Sequence, residues 1–232
     1  MLATRRKLLH SVVIGAAGFA ARGAFAQALA TAVTGDGPFY PDRLPLDTDN
    51  DLIILNDSLT PAVGEIAHFG GRLIGENGAP IRGAFIEIWQ ADTNGSYIHT
   101  EGRNDGKLDR NFQGYGRFLT DTEGRYYFRT IKPVPYTLQG QFRAPHIHVA
   151  VSKAGRRIMA TQALVKGHEA NARDLITRRF SNPQVLDTLM VDYRPVPGSS
   201  LGELAGEFNI RLGVTAQELD DGTVGGIGRA RA

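Results

Sequence analysis

Two histidines separated by a single residue are the side chains in this sequence best suited to bind a metal ion. His146 and His148 stand at the start of an apolar, partly β-branched run, 149–151, which predicts a buried strand. Residues two apart on a strand share a face and lie about 6.5–7 Å apart along the chain. Both imidazoles would therefore point to one place, as in a metal site, while Ile147 faces a core. One core histidine beside an exposed one would also fit an isolated pair of this kind.

The rest of the sequence limits which metal site this pair could join. The chain has no Cys, which excludes thiolate zinc sites, disulfides and cysteine nucleophiles. No Asp or Glu lies at 149–153, where a cupin or a ferrous site with two histidines and one carboxylate would need a ligand. A zinc site could recruit His168 or His99. Two tyrosines that follow turn signals, Tyr97 and Tyr136, are further oxygen donors.

The segments around these residues predict an all-β fold, an antiparallel β-sandwich with short helices and long loops. Apolar or alternating stretches bounded by Gly, Asn and Asp turns give candidate strands at 67–74, 84–90, 116–119, 126–131, 143–152, 158–165 and 208–212. A further edge strand is expected around 52–55. Short helical turns are expected at 171–174 and after Asn182-Pro183, where a capping residue precedes proline.

The chain divides into four predicted parts. They are a signal peptide at 1–26, an extended arm at 27–63, the sandwich domain at 64–216 and a flexible tail at 217–232. Arg5-Arg6 before a short apolar stretch, with Ala24-Phe25-Ala26 as a cleavage site, predicts export by the twin-arginine route. Glycine and proline predict the extended arm, and glycine predicts the flexible tail.

Charge and hydropathy bear on location and partners. The whole chain has a formal net charge of +2, and the predicted signal holds four cationic residues and no acidic one, so the remaining 206 residues (232 − 26) would carry −2 (2 − 4). No basic cluster with interleaved aromatics follows, which argues against nucleic-acid binding. The apolar stretch of the signal is shorter than the about 20 residues that span a bilayer. We therefore expect a periplasmic or secreted protein with no membrane span after removal of the signal.

A series of short motifs follows the predicted strands in order. They lie at 71–73, 83–92, 95–97, 116–117, 120–121, 124, 128–136 and 143–148. Together they resemble the intradiol ring-cleavage dioxygenases, most closely the protocatechuate dioxygenase branch. The resemblance extends from about Gly37 to about Leu212.

This resemblance implies a prealbumin-like sandwich that holds non-haem Fe(III) between two tyrosinates and two histidines. Tyr97 and Tyr136 match the tyrosinate positions of the family, and His146 and His148 match the imidazole positions. An ordinary tyrosine has a pKa of about 10, so a strongly Lewis-acidic cation must displace its proton on binding. Taken singly, either tyrosine would also fit an aromatic side chain packed at the edge of the sandwich.

The resemblance also implies roles for residues beside the iron. Arg143 matches the arginine that stabilises negative charge on the bound substrate, an electrostatic contribution to both binding and catalysis. Gln162 matches a glutamine near that arginine, and Tyr136 matches the tyrosine that the substrate displaces. Trp89 could line the substrate pocket. Gln162 would equally fit a polar residue facing water, and Trp89, the only tryptophan, would fit the core.

The implied reaction uses O2 to cleave a catechol-type aromatic diol between its two hydroxylated carbons, giving a cis,cis-muconate-type product. The partners are the diol, O2 and further copies of the chain in a homo-oligomer. Tyr136 and His146 are ten residues apart, closer than in the protocatechuate branch, so we expect a different border to the substrate. Two alternatives are an exported non-catalytic binding module on the same sandwich and a zinc hydrolase that uses His146, His148 and His168.

Overall fold

The computed structural model describes residues 29–55, 59–104 and 106–213, with two short strands beyond them. The predicted signal peptide at 1–26 lies outside the described residues and stays a prediction. In order, the strands are β1 (Ile66–Ile74), β2 (Phe85–Trp89), β3 (Tyr115–Leu119), β4 (Arg125–Ile131), β5 (Tyr136–Leu138), β6 (Gln141–Arg143), β7 (His146–Lys153), β8 (Arg156–Val165), β9 (Met190–Val191), β10 (Tyr193–Pro195), β11 (Leu204–Glu207), β12 (Ile210–Arg211), β13 (Gln217–Glu218) and β14 (Val224–Gly225).

Helical structure in the described residues is short. One α-helix, α1 (Pro183–Asp187), begins where the sequence predicts it, with the Asn182 side chain accepting a hydrogen bond from the Gln184 N–H at 2.9 Å. The 3₁₀ turns are Thr100–Gly102, Glu169–Arg173 and Thr177–Arg179. None of the described helices is long and apolar enough to cross a membrane.

Two five-stranded sheets form the main body. In the first, β10, β11, β1 and β12 follow one another and β4 also pairs with β1; in the second, the order is β3, β2, β7, β8, β9. Their facing sides share one hydrophobic core that includes Phe69 and Phe128 of the first sheet and Ile88, Ile147 and Val149 of the second. This arrangement confirms the all-β prediction, whereas the prealbumin-like type of sandwich stays a prediction.

The antiparallel prediction is right for most strand pairs of the described residues and wrong for three of them. Strand β1 pairs in parallel with β11 and β12, and β8 pairs in parallel with β9. Alternation in a sequence indicates which face of a strand is buried, but direction depends on the connection that brings the strand back. The strands that pair in parallel in this way, β9, β11 and β12, all lie in the last part of the chain. Long stretches of sequence separate each of them from the strand that it pairs with.

The predicted strand at 143–152 is two strands in the structure. Strand β6 ends at Arg143 and pairs with β5, whereas β7 begins at His146 and lies between β2 and β8. The break falls at Ala144-Pro145, since proline has no N–H for a ladder and restricts the residue before it. The sequence therefore placed Arg143 and His146 on one strand when they belong to different sheets.

The predicted edge strand around 52–55 is also absent from the described residues. Asp51 makes only an isolated bridge with Arg129, and Leu52 and Ile53 are buried in the shared core. These apolar residues fill the core from a loop, which gives the same hydrophobic signal as a strand. Within the predicted tail at 217–232, strands β13 and β14 pair with each other, and its flexibility stays a prediction.

The alternation of core-facing and site-facing side chains along β7 can be tested by shortening Ile147, which faces the core. We expect Ile147→Ala to lower the free energy of unfolding by about 2–5 kcal/mol, because Ile147 is fully buried and its loss leaves a cavity. Leu119→Ala is the control, since that side chain is 52% exposed and its loss should cost within about 0.5 kcal/mol. Denaturant titration measures both values. Equal effects of the two substitutions would show that Ile147 does not face the core.

Candidate metal centre

Strand β7 places the two histidines as its sequence predicts. His146 and His148 lie on the face of the second sheet that points away from Ile147 and the shared core, and both rings are buried. Their Nε2 atoms are 3.2 Å apart. Because β7 is hydrogen-bonded on both sides, by β2 and β8, the backbone that carries the imidazoles is held at the centre of the sheet.

Tyr97 reaches the same place from the loop that follows β2. The buried carboxylate of Asp92 shapes this loop, with its Oδ1 accepting the N–H groups of Asn94 at 2.8 Å and Ser96 at 2.9 Å. Gly95 has a φ of +77°, and a Cβ there would lie 2.7 Å from Tyr136 Cβ. The predicted Asn94-Gly95 turn therefore also brings the loop against the second tyrosine.

Tyr136 and Arg143 are opposite residues of the β5–β6 hairpin. The hairpin turns through Gln139 and Gly140, both with positive φ (50° and 74°), as two-residue hairpin turns of type I′ require. The short spacing from Tyr136 to His146 thus takes the form of a tight hairpin. Gln139 Nε2 donates to the Glu101 carbonyl at 3.0 Å, which ties the tip of the hairpin to the turn after Tyr97.

The four predicted ligands converge on one point. The Tyr97 hydroxyl lies 2.9 Å from the Tyr136 hydroxyl, 3.2 Å from His148 Nε2 and 3.4 Å from His146 Nε2. Two ligands bonded at roughly 2.0–2.1 Å to a shared metal ion, with angles of roughly 90–110°, lie about 2.8–3.4 Å apart. The spacing of these four atoms therefore fits the donor set of a single ion.

The chemistry of the donors suits a hard, strongly charged cation. Burial raises the pKa of Tyr97 well above its ordinary value, and the neighbouring Tyr136 hydroxyl adds to this shift. Burial also raises the pKa of Tyr136, against a lowering by Tyr97 and Arg143. Without a cation both phenols keep their protons at neutral pH. A bound cation of high charge would displace these protons, because phenolate is a hard oxygen ligand.

Both imidazoles are held neutral, and His146 is held in the tautomer that a metal needs. Burial lowers the pKa of both histidines, and the Arg143 charge lowers them further. His146 Nδ1 donates to the Ala144 carbonyl at 2.6 Å, since a carbonyl can only accept. The lone pair of His146 is therefore on Nε2, the atom that faces Tyr97.

Arg143 and Gln162, both predicted beside the metal, contact each other in the structure. Arg143 Nη2 donates to Gln162 Oε1 at 2.5 Å, and Gln162 is paired with His148 across β7 and β8. Gln162 is buried, so the alternative of a polar residue facing water is wrong. The Arg143 charge lies close enough to lower the pKa of all four candidate ligands.

Asp174 also belongs to this site, but the sequence analysis did not predict it there. Its Oδ2 accepts Arg143 Nε at 2.9 Å, from a position 31 residues along the chain. The sequence placed Asp174 in a helical turn at 171–174, whereas the observed 3₁₀ turn is Glu169–Arg173 and Asp174 ends it in an extended conformation. No local pattern signals the contact, because two segments distant in sequence form it.

Aromatic side chains pack on two of the candidate ligands: Trp89 on His148, and Phe39 of the arm on Tyr97. The Trp89 ring stacks on the His148 ring at 4.9 Å between centroids with 9° between planes, and Trp89 is fully buried. Phe39 of the arm packs on Tyr97 at 5.2 Å. Trp89 thus supports a candidate ligand, and its contact with substrate stays a prediction.

The other candidate histidines serve as helix caps. His168 Nδ1 accepts the N–H of Ala170 at 3.2 Å, and His99 Nδ1 accepts that of Glu101 at 3.0 Å. Among the residues that the structure describes, no three His, Cys, Asp or Glu side chains come together as a metal site. The alternative zinc site built from His146, His148 and His168 is therefore wrong.

Comparison with known proteins gives one family match and several relatives. A family model described as Dioxygenase matches residues 35–213. The chain is 36% identical over 135 residues to the protocatechuate 3,4-dioxygenase beta chain of Burkholderia cepacia. This alignment covers 51% of this chain and 57% of the relative. The chain is also 31% identical over 185 residues to the protocatechuate 3,4-dioxygenase alpha chain of Pseudomonas putida, covering 76% of this chain and 88% of that one.

A solved structure shares the fold. The dioxygenase domain of a dioxygenase carbohydrate-binding protein fusion from the cellulolytic bacterium Streptomyces sp. SirexAA-E aligns with a TM-score of 0.58 and 24% identity. The alignment covers 79% of this chain and 97% of that domain. At this identity the likeness concerns the fold.

The arm's contact with His148 can be tested with two matched glycines. Gly37 has a φ of +74°, and a Cβ there would lie 2.8 Å from His148 Cε1; Gly35 has a φ of +87° and nothing within 4 Å. Both changes to alanine carry a backbone cost of about 1–2 kcal/mol, and Gly37→Ala adds an overlap that costs about 1–3 kcal/mol. We expect denaturation of the metal-free protein to show the larger loss for Gly37→Ala. Equal losses would mean that the arm does not press on His148.

Proposed function

The chain belongs to the dioxygenase family, and on this premise we propose that it is a non-haem Fe(III) intradiol enzyme. It would use O2 to cleave a catechol-type aromatic diol between its two hydroxylated carbons and release a cis,cis-muconate-type product. The observation that carries the proposal is the convergence of two phenols and two imidazoles, with the Tyr97 hydroxyl within 3.4 Å of the other three donors. A buried cluster of this composition has no use in a purely structural sheet.

Four residues would hold the iron. Tyr97 and Tyr136 would bind as tyrosinates, and His146 and His148 through Nε2. Bound there, the iron would coordinate the diol and make its ring electron-rich enough to react with O2. The site is closed to bulk water on the side of Tyr97 and His148, which are 1% and 0% exposed, and low water content strengthens each electrostatic contact inside it.

Tyr136 is the donor that a substrate would displace. It is 6% exposed, more than the other three donors, and it stands on the short β5–β6 hairpin rather than on a central strand. A diol could take its place with little movement of the sheets. The Tyr136 phenolate, released from the iron, would then take up one proton that the diol loses on binding and become a neutral phenol.

Arg143 would stabilise the negative charge of the bound diolate. Its guanidinium faces Tyr136 across the hairpin and is held by Asp174 and Gln162. A buried cation that is already fixed in place costs no reorganisation when charge develops on the substrate. Gln162 would act through Arg143, by holding its orientation.

The substrate class and the assembly are part of the same proposal. The relatives carry names of protocatechuate and catechol dioxygenases, so a vicinal aromatic diol is the class that we propose for this chain. The chain spans about half the length of these two relatives. The protocatechuate dioxygenase relatives are named as alpha and beta chains, which supports an oligomer. For this chain we propose that the other subunits are further copies of itself.

The visible spectrum of the purified protein, with iron analysis of the same sample, tests the proposal. We expect a broad band from tyrosinate-to-iron charge transfer, near-stoichiometric iron, and a change of the band when a catechol is added without O2. Tyr136→Phe should remove much of the colour while the protein stays folded. Tyr127→Phe is the control, because Tyr127 lies on β4 and its hydroxyl hydrogen-bonds to His68 of β1, away from the site. A protein that stays colourless with ferric iron would contradict the proposal and favour the binding module.

We further propose that the protein is exported by the twin-arginine route, from the Arg5-Arg6 pair and the apolar stretch after it. Replacing both residues by lysine should keep the protein in the cytoplasmic fraction, because the twin-arginine translocase reads the guanidinium pair. Arg22→Lys, a change of the same kind within the predicted signal, is the control. Fractionation followed by immunoblotting measures the distribution. Unchanged export of the double variant would contradict this route.

A further inference from the structure

Asp174 is a buried carboxylate whose two oxygens are both fully engaged. Oδ2 accepts Arg143 Nε at 2.9 Å and the Ala144 N–H at 2.8 Å. Oδ1 accepts the Ile176 N–H at 2.8 Å and the Thr177 N–H at 3.4 Å. The residue is fully buried, and the 3₁₀ turns on either side of it, Glu169–Arg173 and Thr177–Arg179, bring it to this place.

One oxygen of this carboxylate reaches two parts of the candidate site. Asp174 Oδ2 accepts a hydrogen bond from Arg143 Nε, and Gln162 Oε1 accepts one from Arg143 Nη2, so the guanidinium is held at two of its nitrogens. Through the Ala144 N–H the same carboxylate oxygen holds the peptide that joins Arg143 to Ala144. The carbonyl of Ala144 in turn accepts the proton of His146 Nδ1 at 2.6 Å.

We propose that Asp174 is a positioning residue that sets the orientation of both Arg143 and His146 for the reaction, an inference that rests on the proposed function. Its negative charge compensates the buried guanidinium, which would otherwise be free to turn toward any nearby acceptor. Its hydrogen bond to the Ala144 N–H also holds the residue whose carbonyl accepts the His146 Nδ1 proton and so keeps the lone pair of His146 on Nε2. Groups that orient a metal ligand typically change metal affinity or activity 10–100-fold when removed.

A carboxylate is needed here because all its partners are donors. Four N–H groups bond to Asp174, two to each oxygen. An asparagine has one oxygen and one NH2 group, so either orientation would turn an N–H donor toward two other donors. Asp174→Asn thus removes the charge and breaks two contacts with almost no change of volume.

The experiment compares Asp174→Asn with a matched carboxylate elsewhere. Asp121 also accepts an arginine Nε, that of Arg125 at 2.7 Å, and two backbone N–H groups, but it lies in the exposed turn between β3 and β4. We expect Asp174→Asn to lower kcat on a cleaved diol by about 10–100-fold with a smaller change in KM, and to speed iron release to a chelator several-fold. Asp121→Asn should leave all three values unchanged.

A double variant separates positioning from general stability. If Asp174 acts on kcat through Arg143, Asp174→Asn should lower kcat less than about threefold in a protein that already carries Arg143→Gln. Equal losses in the two backgrounds would overturn this action. A loss of melting temperature without a change in kcat or in iron release would leave Asp174 a structural residue and overturn the inference.

The outcomes distinguish this inference from the proposed function. A coloured, active wild type beside an Asp174→Asn variant with wild-type kcat and iron release overturns the inference alone. A wild type that binds no iron and stays colourless overturns the proposed function and the inference with it. If Asp174→Asn does not fold, Asp174→Glu takes its place, because the added methylene displaces the carboxylate from Arg143; wild-type kcat and iron release in that variant overturn the inference.

Discussion

The two-residue period of β7 is the constraint on which the rest of the site depends. The same backbone that buries Ile147 and Val149 in the shared core directs His146 and His148 to the opposite face. Moving the strand by one residue against its neighbours would put the imidazoles in the core and the apolar side chains at the metal. The hydrophobic core therefore fixes the direction of the candidate ligands, and it does so from the side where no chemistry takes place.

The remaining donors reach that face from a loop and from a separate two-stranded hairpin, which need other support. Asp92 shapes the loop that carries Tyr97, and a two-residue turn closes the hairpin that carries Tyr136 and Arg143. Buried carboxylates accept backbone N–H groups at two places beside the site, Asp92 in the loop that carries Tyr97 and Asp174 at Ala144, just after β6 ends. Such contacts replace the strand ladder that holds β7, because buried polar groups of a loop must also be satisfied.

Burial gives the candidate centre its chemical character. Burial raises the pKa of both phenols and so keeps them protonated until a cation arrives, against a lowering by the Arg143 charge. Burial and the Arg143 charge both lower the pKa of the imidazoles and so keep them neutral. A cation that binds there must be strong enough to displace phenolic protons, which selects for high charge. Aromatic packing by Trp89 and Phe39 on His148 and Tyr97 closes the outer side, so the substrate side is left to Tyr136 and its hairpin.

The sequence by itself determined the all-β class, the core positions of the main strands and the pairing of His146 with His148, because strand alternation and turn residues act over a few neighbours. Turn signals indicated Tyr97 and Tyr136 as further donors, and the resemblance gave them their roles and added Arg143 and Gln162. Only the tertiary structure decided the parallel direction of the last strands, the break between Arg143 and His146, the core role of Leu52 and Ile53, and the use of His99 and His168 as helix caps. The contact between Asp174 and Arg143 was likewise found only in the tertiary structure. Each of these features depends on contacts between segments far apart in the chain, and a local pattern carries no information about which distant segment will be its neighbour.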